Sequence, residues 1–188
     1  MNDDGLVVSL TFAGERGSGT GFGIPLVVRY VLETAGTVAE GVDVLRRVPV
    51  HMAYNLTLLD RQGRSCTVLV RPGRPPEVFD LTAVTNHRGT RPLDPTHAAR
   101  FHSVERQRAL FDLLGTGPDP ADVVDAFLRP PLYNTDFDGG FGTLYTAAYR
   151  PAEGTVEYVW PGSDWRLGFD SPAGTHDAIY RAPVNSSA

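Results

Sequence analysis

Residues 21–60 read GFGIPLVVRYVLETAGTVAEGVDVLRRVPVHMAYNLTLLD. How this stretch divides decides the fold. Pro25 suits the first turn of a helix, because its missing N–H has no partner there and its φ is already helical. Leu26, Val27, Tyr30 and Val31 then recur at helical spacing, and Gly36 is a natural stop. Thr37 and Glu40 stand as a capping box, in which the hydroxyl and the carboxylate satisfy orphan N–H groups reciprocally. They open a second helix with Val38, Val42 and Leu45 on one face, closed by Pro49. His51–Asp60 then turns to strand-type residues. Two successive helices followed by a strand do not make an alternating βαβ chain.

Moving outward, Asn2-Asp3-Asp4-Gly5 is a cluster of turn formers, and Leu6–Phe12 reads as a strand. A glycine-rich segment, AGERGSGTGFG, spans 13–23. Downstream, Arg61–Arg64 is a short turn joining His51–Asp60 to a strand at Ser65–Arg71. Pro75 and Pro76 are expected to break that hairpin, and Glu77–Thr85 to form another strand ending at Asn86-His87-Arg88. After a loop over Pro92–Pro95, Thr96–Leu114 is expected to form one helix. Its apolar stripe is Phe101, Val104, Leu110, Phe111 and Leu114, and Gly115 ends it. Asp119 caps a short helix over 121–129, with Pro120 at its first position and Pro130-Pro131 at its end. Thr143–Tyr149 and Thr155–Trp160 form a hairpin through Arg150–Gly154. The expected class is α+β with antiparallel hairpins. Residues 1–170 form one domain, and 171–188 a polar, frayed tail.

Composition narrows the function. The chain has 188 residues, 41% hydrophobic and 21% charged, enough for one domain with a core. A net charge of −5 gives no reason to expect nucleic acid or an anionic membrane as partner. The basic residues are all arginine, which reads as the base composition of the coding DNA and not as a binding device. No apolar run approaches the ~20 residues that span a bilayer. The acidic start lacks the basic region of a signal peptide. The expected location is cytoplasmic.

The candidate chemistry is sparse. Gly17, Gly19, Gly21 and Gly23 lie between a strand and a helix, where a helix N-terminus can hold phosphate. The spacing is not GxGxxG, and a chain without lysine has no Walker lysine. A flexible or substrate-facing loop is the better reading, with Gly21 and Phe22 as contacts. His51, His87, His97, His102 and His176 show no metal-ligand spacing, and no metal or other cofactor is expected. Cys66, the one cysteine, sits in an apolar strand as a buried, inert thiol in preference to a nucleophile. Asn86 stands where a strand gives way to a loop. From there a carboxamide NH2 group can be aimed at a developing oxyanion; on local grounds a turn-forming asparagine is the simpler reading.

Several segments together resemble one family: MNDDGLVVSLTFAG, the stretch 21–60, AVTNH, SVERQRAL and FGTLYTAAYRPAEGTVEYVWPG. They are similar to the acyl-CoA:6-aminopenicillanic acid acyltransferase-like proteins, also called peptidase family C45, within the N-terminal-nucleophile (Ntn) hydrolases. The resemblance covers nearly the whole chain. It implies an αββα sandwich with antiparallel sheets, here incomplete. It implies a mechanism in which self-cleavage exposes an N-terminal cysteine whose thiol attacks an amide or thioester carbonyl. Its own α-amine is the base, and nearby donors hold the oxyanion. Asn86 then matches the oxyanion asparagine. Arg106 resembles an arginine near the active site, there to stabilise charge or position a carboxylate, against a plain helix-surface residue. Tyr54 and Asn55 fall in a family strand without an assignable role. His87 is a pocket residue or a structural one. The implied partners are a small acyl or amide substrate, with acyl-CoA as a possible donor.

The resemblance also marks a departure. No Cys, Ser or Thr stands at the start, and Cys66 does not join thiol and α-amine on one residue. In relatives, a turn like Met1–Leu6 is entered from a preceding strand. The expectation is therefore a C-terminal portion of such an enzyme, whose nucleophile lies on a missing N-terminal half. Such a piece is expected to be marginally stable, with open sheet edges. The alternative is a non-catalytic scaffold that binds an acyl or peptide-like ligand or pairs with a nucleophile-bearing chain.

Overall fold

A computed structural model describes residues 1–90, 92, 94–139 and 142–171. The expected tail beyond Ser171, with His176, lies outside the described residues. Two antiparallel sheets form, with helices beside them. The first takes β1 (Val7–Phe12), β2 (Tyr54–Leu59), β3 (Ser65–Arg71) and β4 (Arg74–Phe79) in that order. The second is the meander β5 (Thr146–Arg150), β6 (Thr155–Trp160) and β7 (Ser163–Gly168). The class is α+β, as expected.

The stretch 21–60 forms α1 (Ile24–Thr34), α2 (Val38–Arg47) and β2. The capping box is present in both directions, between the Thr37 side chain and Glu40 N–H and between the Glu40 side chain and Thr37 N–H. Side chains alternate across a strand, so each strand of the first sheet has two faces. One face carries Val8, Leu56, Leu58, Cys66, Val68 and Val70. It packs with Leu6 against Ile24, Val27, Val31, Val42, Val44 and Leu45 of the two helices, and this is the main core. Burying each such side chain contributes roughly 1.5–3 kcal/mol. The opposite face carries Thr11, Asn55, Thr57, Thr67 and Leu69, a polar surface apart from the small cluster of Ala13, Ala53 and Leu69. That polar face positions the candidate site.

Four expectations are corrected. Pro75 and Pro76 do not break the hairpin but lie within β4. That strand is at the sheet edge, where a missing N–H costs no ladder bond. Strand structure ends at Phe79, so residues 80–85 are an irregular strap, not the rest of a strand. The expected helix over 96–114 is two: α3 (Pro95–Arg100) and α4 (Ser103–Leu114). They are broken at His102, whose φ is +49°. The break also leaves Val104 exposed, outside the stripe assigned to it. Finally, β7 was not anticipated. It follows Pro161-Gly162, a two-residue turn with Gly162 at φ +80°. The short helix α5 (Pro120–Ala126) forms where Asp119 and Pro120 place it.

Candidate active site

The strap from Asp80 to Thr90 crosses the polar face of the first sheet. Two β-strand side chains hold it there. Thr11 Oγ1 donates to the carbonyl of Thr85 at 3.1 Å, and Asn55 Nδ2 donates to the carbonyl of His87 at 2.9 Å. The polar Asn55, 2% exposed in β2, is thereby accounted for. It satisfies backbone groups that a loop cannot pair for itself. Arg88 reaches Glu77 of β4, which also pairs with Arg71.

Burial alternates along the strap. Ala83, Thr85 and His87 point inward, whereas Asn86 is half-buried between them. On the other side lies α4. Ser103, Arg106 and Gln107 lie three and four residues apart and share one helix face, and all three read the strap. Ser103 and Gln107 hold His87, through Oγ to Nδ1 at 3.1 Å and through Oε1 to Nε2 at 2.9 Å. Arg106 Nη1 donates to Asn86 Oδ1 at 3.3 Å. Arginine has no acceptor, so Asn86 must turn its carbonyl oxygen to Arg106. The Asn86 NH2 group then faces the other way, as a free donor. Among the described residues no other hydrogen bond engages the Asn86 side chain. Gly14 leaves room behind the strap: a Cβ there would come within 3.0 Å of the Asn86 carbonyl oxygen.

Arg106 is a half-buried cation without a carboxylate partner among the described residues, and its Nε is buried without a hydrogen bond. Burial pushes its pKa down, yet an arginine stays charged at any working pH. It forms part of the wall of a cavity of about 570 Å3, with Phe101, His102, Tyr133, Asn134 and Thr143 also lining it. Asn86 is not itself a wall of this cavity; Arg106 joins the two.

The structure brings Asn86, His87 and Arg106 together, but not Gly21 and Phe22. Gly21 packs on the backbone of Val50, where a Cβ would lie 2.3 Å from the Val50 carbonyl carbon. Phe22 makes a bridge to Val50 and exposes its ring beside Leu26 and Tyr30. Both precede α1, on the helix-covered side of the sheet, across from the strap. His87 is 1% exposed and faces the interior. Cys66 packs against the helix-side core. Burial, with the charge of Asp80, raises its thiol pKa and keeps it protonated. A protonated thiol on the wrong face of β3 cannot attack a group held at Asn86. Thr85, Ser103 and Gln107 were not singled out in the sequence, where each has a polar residue beside it and nothing marks it as buried.

An α+β scaffold presenting an arginine-oriented carboxamide beside a cavity has parts suited to chemistry at a carbonyl group. The family model described as acyl-coenzyme A:6-aminopenicillanic acid acyl-transferase matches residues 1–165, and the chain belongs to that family. Its function is acyltransferase-like accordingly. No curated protein matches the chain.

Proposed function

We propose that the chain contributes the oxyanion-binding part of an Ntn-type site for acyl transfer or amide hydrolysis, in the αββα architecture of peptidase family C45. The observation that carries this reading is the Arg106–Asn86 bond. It fixes the amide so that its NH2 group is the donor, the arrangement an oxyanion needs. It also places a cation one hydrogen bond away, where developing negative charge is stabilised through Asn86. The substrate is a small acyl or amide compound bound in the Arg106 cavity, with acyl-CoA as a possible donor, and residues 1–170 act as one cytoplasmic domain. The nucleophile is an N-terminal cysteine on another strand.

The sheet edge supports that last point. β4 carries prolines and charges, and its pairing with β3 shifts register between Leu69 and Arg71 of β3, devices that discourage further pairing. β1, at the other edge, has no charge and no proline, and Leu10 stands 43% exposed in it. An edge of this kind suits an added strand, which is also what the scaffold reading requires.

The test is binding of an oxyanion mimic. An alkyl phosphonate bears a tetrahedral anionic oxygen like that of the transition state and needs no nucleophile to bind. Titration calorimetry with a hexyl phosphonate is expected to show binding, weakened about tenfold, or ~1.4 kcal/mol, in Asn86→Ala. Equal affinity in the variant would remove Asn86 from the site.

A further inference from the structure

Both ring nitrogens of His87 have partners, and the other contacts of those partners set the hydrogen-bond directions. Gln107 Nε2 donates to the carbonyls of Ala83 at 3.3 Å and Gly89 at 2.9 Å. Its Oε1 is therefore the atom facing the ring, and His87 Nε2 must donate to it. On the other side, Thr85 Oγ1 donates to the carbonyl of Ser103 at 2.8 Å, so its proton is committed. Ser103 Oγ has two acceptors in reach, His87 Nδ1 at 3.1 Å and the Ala98 carbonyl at 3.5 Å, and the shorter contact places its proton toward Nδ1. With the Ser103 proton on its nearer acceptor, Nδ1, the ring is neutral and carries its own proton on Nε2.

We propose that His87, as the neutral Nε2–H tautomer, is the positioning residue for Asn86. It ties the strap to the same face of α4 that carries Arg106. Asn86 is the next residue along a backbone pinned at Thr85 and His87, so locking the ring sets where the Asn86 amide lies against Arg106. This role rests on Asn86 being the oxyanion donor, and it adds how that donor is held.

Burial pushes the His87 pKa down, which keeps the ring neutral. The groups facing the ring are uncharged: Thr85, Ser103 and Gln107, with the Asn55 amide on its carbonyl. The charged residues beside it, Arg88 and Arg106, are cations engaged with Glu77 and Asn86. Protonating Nδ1 would require the Ser103 hydroxyl to turn to the more distant Ala98 carbonyl, exchanging a 3.1 Å contact for one of 3.5 Å.

Nuclear magnetic resonance of the full chain tests this without any turnover. With 15N-labelled histidine at pH 7.5, the His87 ring is expected to carry its proton on Nε2 alone. A proton on Nδ1, or on both nitrogens, would overturn the assignment. The variant His87→Phe keeps the ring volume and removes both nitrogens. Its Asn86 side-chain amide is expected to shift and to exchange with solvent several-fold faster, while core methyl signals of Leu58 and Val68 stay in place. An unmoved Asn86 amide would show that His87 only fills space. Should His87→Phe fail to fold, Ser103→Ala removes a single hydroxyl donor. It is expected to shift the Nδ1 signal and the Asn86 amide together; a shift of Nδ1 alone would equally overturn the positioning role. Failure of phosphonate binding would leave the tautomer result standing, so the two readings fail separately.

Discussion

Asp60 holds two elements with one buried carboxylate. It accepts from the N–H groups of Gln62 and Arg64 in the β2–β3 turn, from Val38 at the start of α2, and from the Arg64 guanidinium. Burial works to raise its pKa, but these donors outweigh burial and leave it lowered. Asp60→Ala strands several N–H groups and is expected to cost roughly 2–4 kcal/mol in urea denaturation. A group with a lowered folded pKa stabilises above the ordinary aspartate range and stops doing so as pH falls through the folded value. The stability gap between wild type and variant should therefore narrow in acid; a gap constant down to the acid limit would contradict the account. At this scale the sequence was partly legible. Thr-Asn-His drew attention to Asn86, though as a strand-end residue where the structure has an irregular strap, and the family pattern raised Arg106, which the structure joins to it. The Asn55, Ser103 and Gln107 roles were hidden, because they serve backbone groups distant in sequence whose need for a partner appears only after folding.

Elements were more legible where local chemistry decided them. The Thr37–Glu40 box, Pro25 and Asp119-Pro120 put α1, α2 and α5 in place. The break at His102 was not legible, since the residues on both sides keep helix-forming character and histidine has only a modest tendency toward positive φ. The prolines of β4 misled because sequence does not show which strand becomes an edge. The glycine-rich segment before α1 looked like a ligand loop, but close backbone approach explains Gly21. A Cβ there would lie 2.3–2.7 Å from the Val50 backbone. Gly21→Ala is expected to break the Phe22–Val50 bridge and destabilise by roughly 1–3 kcal/mol. A melting temperature unchanged by this substitution would show that the segment is free to move.

In the whole molecule, one well-packed layer pair coexists with thinly covered surfaces. α1 and α2 bury one face of the first sheet, and the strap covers part of the other. The second sheet is half-exposed along most of its length; of its residues only Val159 is buried. No helix among the described residues is long and apolar enough to cross a membrane. The α+β class followed from the order of helices and hairpins. The position of β1 at a sheet edge agrees with the open edges that the family resemblance led us to expect, and no local pattern marks it. In the proposed site Asn86, held by Arg106, faces the oxyanion, and the thiol of Cys66 lies on the far face of the sheet. The most direct measurement is release of free thiol from a simple acyl-CoA, together with hydrolysis of an N-acyl amino acid, by the purified chain alone. No turnover above the buffer rate is predicted. Turnover that disappears in Asn86→Ala would show that the chain carries its own nucleophile, and would contradict the proposed division of the site.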